Sequence, residues 1–160
     1  MIKFTELRSY LMSEFRLGIH GVPHWSRVYT NARKLAEAER ARDPSIYISE
    51  DVIKLFSFLH DHVRENDGSD PEHGERAAGG AVLLRGIYFD IEDHEMEMLV
   101  HAMTFHSDGM TMAEPTVQVC WDADRLDLGR VGKYPNQQYL CTESAKDPEF
   151  IQQAFNRSLK

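Results

Sequence analysis

The segment Leu55–Asp67, LFSFLHDHVREND, sets a histidine and an aspartate side by side, His60-Asp61, late in an apolar helical run. Val52, Leu55, Phe56, Leu59 and Val63 fall at helical spacing and form a core-facing stripe. His60 lies on the edge of that stripe, with Asp61 one step around the helix. A carboxylate so close to a core is costly unless its charge is compensated. A metal ion held by both side chains is one compensation, and it directs attention to residues elsewhere that would complete a ligand set.

Working outward, the apolar periodicity stays helical and no segment alternates as a strand would. Glycine, proline and Asn/Asp clusters at GIHGVP, NDGSDPE, HSDGMTMAEP and LGRVGKYPN divide the chain. Helices are expected near residues 2–17, 24–41, 49–65, 72–88, 92–106, 115–127 and 147–159. Ser49 with Glu50 and Asp51 supplies a cap and favourable charge for the third. Asp147-Pro148-Glu149 places a capping acid before a first-turn proline in the last. The fold class is all-α: a single helical domain over residues 1–160, of about six to seven helices. The stretch from Leu128 to Ser144 is longer than a usual connection, as functional loops often are.

A length of 160 residues suffices to bury a core without staples. The net charge of −8 argues against a nucleic-acid polymer as partner. Cys120 and Cys141 have no disulfide-framework spacing, the N-terminus has no apolar signal core, and no run is long enough for a membrane span. A cytoplasmic protein is expected.

Two further helices place polar residues toward the core. His24 shares a stripe with Val28, Ala32 and Leu35; Asp122 shares one with Val119, Ala123 and Leu126. His24, His60, Asp61 and Asp122 would make two imidazoles and two carboxylates, a set suited to a divalent ion with positions left for water. The alternative is that the histidines are satisfied core residues and the acids are surface or ion-paired. Asp124 competes with Asp122, but its two-residue offset points it to another side of an ideal helix. His101 reads as core, His62 and His94 as solvent-facing, and His20 as near the mouth of any site. Trp25 and Trp121 read as walls of the pocket. Gly79-Gly80 inside a helix suggests close helix packing.

With HWSRV at 24–28, FLHDHVREND at 58–67 and CWDADRLDLGRVG at 120–132, the sequence resembles the HD superfamily of metal-dependent phosphohydrolases. The resemblance runs from about residue 20 to 132. It implies an H…HD…D ligand set of His24, His60, Asp61 and Asp122, holding Mn, Fe, Co, Ni or Mg. It further implies that His73, in EHGERAAGGAVL, and His106, in HAMTFHSDG, help hold a second ion or contact the substrate phosphate. Arg64, one turn after His60, projects toward the same place and suits a phosphate. Glu65 is not assigned the role of the glutamate found near that position in some nucleotidase members. Arg27, Arg125, Arg130 and Lys133 are further phosphate candidates, with salt bridging as the alternative for Arg27 and Arg125.

The expected function is a metal-dependent phosphohydrolase acting on a small phosphate ester such as a nucleotide. Asp61 and Arg64 are its catalytic residues and a metal-activated water its nucleophile. The rival readings are a two-iron oxygenase of the same superfamily and a non-catalytic regulatory module.

Overall fold

The computed structural model describes residues 1–15, 18–64, 66 and 69–160. Glu65 lies outside that set. The described residues form eight α-helices and two 3-10 turns: α1 Phe4–Glu14, α2 Val22–Arg42, α3 Glu50–Leu59, α4 His73–Leu84, α5 Asp93–Phe105, α6 Pro115–Arg125, α7 Glu143–Lys146 and α8 Pro148–Ser158. The only strand-like pairings among them are isolated bridges, Ile2 with Phe89 and Arg85 with Phe89. Among the described residues, no helix is long and apolar enough to cross a membrane.

Helix α2 packs against α3 and α6, and α5 packs against α3, α4 and α6. The shared interior is built from Trp25, Val28 and Leu35 of α2, Val52 and Phe56 of α3, Leu99 and Met103 of α5, and Val119 and Trp121 of α6. Trp25 and Trp121 are wholly buried core residues, and neither lines the pocket described below. Helix α6 is sealed on almost every side: only Pro115 and Gln118 escape full burial.

Sequence and structure agree on several helix starts and differ on ends. Ser49 Oγ accepts from Val52 N–H, and Asp147 caps α8 with Pro148 in its first turn. Glu92 and Glu95 form a reciprocal capping box at α5. Helix α4 stops at Leu84, four residues earlier than the pattern predicts, because Arg85 turns extended and Gly86 takes φ 88°. Helix α3 stops at Leu59, before the His60-Asp61 pair. Beyond it the chain tightens, with His62 N–H bonded to Leu59 O and Arg64 N–H to Asp61 O. The expected long connection after Leu128 is ordered into 3-10 turns at Leu128–Val131 and Gln137–Tyr139 and the short α7.

Candidate metal centre

The tightened turn after α3 changes what the pair presents. His60 stays αR, stacks on Phe56 with ring centroids 4.8 Å apart, and donates from Nδ1 to Phe56 O. Asp61 is buried and turned so that its two oxygens face different histidines. Oδ2 lies 3.4 Å from His24 Nε2 and 3.5 Å from His60 Nε2. Oδ1 lies 3.1 Å from His73 Nε2 and 3.4 Å from His106 Nε2. His20 Nδ1 approaches Oδ2 at 3.3 Å, which places it at the site as expected.

The fourth member of the first group is Asp124, and this corrects the expectation of Asp122. Asp124 Oδ1 lies 3.2 Å from both His24 Nε2 and His60 Nε2. The Asp122 carboxylate is buried but turned away, accepting from Cys141 N–H at 2.6 Å and from Thr142 N–H and Oγ–H at 2.8 Å. It pins the chain before α7. Burial pushes the Asp122 carboxyl up, partly offset by those donors.

Two groups of buried side chains thus have the spacing to hold a metal ion: His24, His60, Asp61 and Asp124, and Asp61, His73 and His106. Three observations test the fit. The edges that His24 and His60 make with each other and with the two carboxylates run from 3.1 to 3.5 Å. Metal–ligand bonds of about 2.1 Å would set neighbouring ligands about 3.0–3.4 Å apart. Next, every imidazole is oriented by its far nitrogen. Nδ1 of His60, His73 and His106 donates to the carbonyls of Phe56, Asp70 and Met103, which can only accept. His24 Nδ1 meets Asp127 Oδ2 at 2.6 Å. All four Nε2 lone pairs therefore converge, 3.1 Å apart for His24 and His60 and 2.8 Å for His73 and His106. Lone pairs facing lone pairs and carboxylates call for positive charge between them. Finally, Asp61 Oδ1 and Asp124 Oδ1 are buried without a hydrogen-bond partner.

Electrostatics carry the same demand. Burial pulls His24 down, but Asp124, Asp127 and Asp61 outweigh it and raise its pKa to about 9. Burial pushes Asp61 up, yet the imidazoles of His60, His106, His20 and His24 hold it well below the usual carboxylate range. Asp124 is also held well below, by His60, His24 and Arg130 against its burial. A proton on His24 and a divalent ion are alternative ways to supply the missing positive charge.

Two residues outside the ligand groups position them. Asp127, which sequence reasoning did not single out, takes both His24 Nδ1 and Arg27 Nε, the latter at 2.7 Å. Its signal was its place one turn after Asp124. Gly74 lets the start of α4 reach the end of α5: a Cβ there would meet Met103 O at 2.5 Å and His106 Nδ1 at 3.3 Å. That approach is what brings His73 beside His106.

The remaining candidates divide. Asp61, Arg64, His73, His106, Asp124, Arg125, Arg130 and Lys133 all line one cavity of about 460 Å³. Arg64 Nη1 lies 3.7 Å from Asp61 Oδ1 and 3.0 Å from His73 Nε2. Arg130 Nη2 is 3.7 Å from Asp124 Oδ1. Arg27 is not in the cavity; its ion pair with Asp127 is the structural alternative. His94 is exposed as expected. His62 is not: it is buried, bonded to Leu59 O and packed on Phe15 and Gly80, because the helix that would have turned it outward has already ended. His101 is exposed rather than core, its ring covering Phe105 and Trp121. Gly80 serves the expected close packing, whereas Gly79 faces open space.

Comparisons of the chain with protein-family models, curated proteins and solved structures find no match.

Proposed function

We propose that the protein is a metal-dependent phosphohydrolase of the HD type, cleaving a small phosphate ester with water. The observation that carries the reading is Asp61, whose two oxygens address two histidine groups on the floor of a cavity ringed by Arg64, Arg125, Arg130 and Lys133. The sequence resemblance in HWSRV, the His60-Asp61 pair and DADRLD supports it, with Asp124 in place of Asp122 as the closing residue.

His24, His60, Asp61 and Asp124 would hold one divalent ion, and Asp61, His73 and His106 a second. Such ions lower the pKa of a bound water and polarise phosphoryl oxygens. The chain's own contribution begins with tautomers. Phe56 O, Asp70 O, Met103 O and Asp127 keep the four Nε2 atoms free of protons and aimed inward. Asp61 and Asp124 supply the negative charge that retains cations. Arg64 and Arg130, beside those carboxylates, meet the phosphate oxygens and offset the charge that builds on them. Among the proposed metals, Mn, Fe, Co, Ni and Mg, the imidazole-rich set leans to the transition ions.

The test joins plasma mass spectrometry of the purified protein to a phosphate-release screen over nucleotides and sugar phosphates. Bound divalent metal, and turnover that disappears on chelation and returns on reloading, are expected. Turnover indifferent to chelation would sink the proposal. The four converging imidazoles also suit two irons and oxygen chemistry; intense iron absorbance with oxygen uptake and no phosphate release would favour that second reading.

A further inference from the structure

Of the four cations that line the cavity, the metal-centred reading leaves exposed Lys133 and buried Arg125 without a task. Arg125 is 8% exposed, and its guanidinium lies over the Trp121 ring, 5.4 Å from the centroid. Nη1 donates to Tyr139 O at 2.6 Å and approaches Cys141 Sγ at 3.7 Å. Nη2 is buried and has no hydrogen-bond partner. No carboxylate among the described residues forms an ion pair with it, although Arg125 follows Asp124 directly. The neighbouring carboxylate, Asp122, is saturated by Cys141 and Thr142. A buried guanidinium without a counter-ion is costly, and a structure keeps one where a ligand supplies the missing charge.

Arg64 and Arg130 stand within 4 Å of the ligand carboxylates, whereas Arg125 is tied to the Tyr139–Cys141 side of the same cavity. Leu128, Tyr134, Asn136 and Tyr139 line the cavity as well, so its walls are not all cationic. At about 460 Å³ it falls within the roughly 300–1,000 Å³ of small-molecule sites and exceeds what one phosphate group fills.

We propose that Arg125 receives a second anionic group on the substrate, a carboxylate or a further phosphate, at the end remote from the phosphate on the metal centre. The inference rests on reading that centre as the phosphate site. The substrate class narrows accordingly to phosphate esters that carry another anion. Nη1 on Tyr139 O holds the guanidinium in the cavity wall, and the unpartnered Nη2 would donate to that group on binding, selecting against esters ending in a hydroxyl.

The experiment uses straight-chain phosphonates, which cannot release phosphate, in a series of increasing length. Each length ends in a carboxylate, a second phosphonate or a hydroxyl. Calorimetry on the metal-loaded protein is expected to show one of the anionic termini binding about tenfold or more tighter than the matched hydroxyl. Whichever terminus it is names the second group. In Arg125→Gln the ratio between anionic and hydroxyl termini should collapse toward one, and Arg125→Lys should retain part of it. A merely structural arginine would weaken both compounds together and leave the ratio intact. Equal binding of all termini by the natural protein overturns the proposal even if no variant folds, and so does an Arg125→Gln protein that keeps the preference. Phosphate release is scored separately on the corresponding esters. Selective binding without release would overturn the phosphohydrolase reading and leave the Arg125 assignment standing; release without selectivity would do the reverse.

Discussion

The two halves of the candidate metal centre share Asp61 but are built differently. The half with His24 and His60 has a second carboxylate, Asp124, and a third, Asp127, behind His24. Among the described residues, the half with His73 and His106 has no carboxylate of its own besides Asp61, is backed by carbonyl oxygens, and has the Arg64 guanidinium 3.0 Å from His73 Nε2. Charge count alone makes the first half the tighter cation site and the second one the site that competes with a cation of the protein's own. An ion in the second half would compete with Arg64 for the His73 lone pair. The contrast teaches that two sites a carboxylate apart need not fill together.

The sharpest way to break this contrast is to remove what the halves share. Asp61→Asn should release both ions, with an affinity loss beyond the about hundredfold expected for loss of a supporting partner. Metal titration followed by mass spectrometry reads the effect, and an intact first site would refute the bridging geometry.

Next in size is the pH response of the chelated protein. His24 has a folded pKa of about 9 against 6.5 when unfolded, so its stabilisation is fully present below pH 6.5 and lost as pH rises to 9. The change is up to about 3 kcal/mol. His62 acts at the other end: burial lowers it to about 4, so stability falls as pH drops from 6.5 toward 4. Urea unfolding in chelator should peak near pH 6.5, and reloading the metal should remove the alkaline fall. An alkaline fall that survives metal would separate His24 from the site.

Two aspartates two residues apart then give opposite phenotypes. Asp122→Ala should cost about 3 kcal/mol, by stranding the donors of Cys141 and Thr142, with metal content retained. Asp124→Ala should lose the first-half ion with a smaller stability change. Thermal melts and metal analysis on the pair would reverse the assignment if the phenotypes were exchanged. The smallest expected effect is Asp127→Asn, a roughly 10–100-fold weakening at the first half alone. Equal weakening of both halves would show that the sites are not separable.

The helices were legible because amphipathic stripes and caps such as Ser49 and Asp147 are local. Asp124 was not, and the reason is physical. A helical wheel distinguishes faces only when one of them meets solvent, and α6 has almost no such face. Both acids are inside, so only the three-dimensional neighbours tell metal ligand from loop anchor. His62 departs from the helical pattern for a related reason: the pattern runs on past Leu59, where the chain has already left the helix. The histidine pairs His24–His60 and His73–His106 join residues far apart in sequence, yet all four were identifiable from motifs. Their backing groups, Asp127 and three carbonyls, were not, since a carbonyl carries no sequence signal.

Gly129 lies in the 3-10 turn after Asp127, and a Cβ built there would fall 1.8 Å from Ser158 Oγ and 3.1 Å from the Phe155 ring. The last turns of α8 therefore sit directly on the segment that steadies His24. The carboxyl-terminal end acts as a wedge behind the His24 side of the candidate site, so trimming back past Phe155 is expected to loosen cation binding from a distance without removing a single candidate ligand.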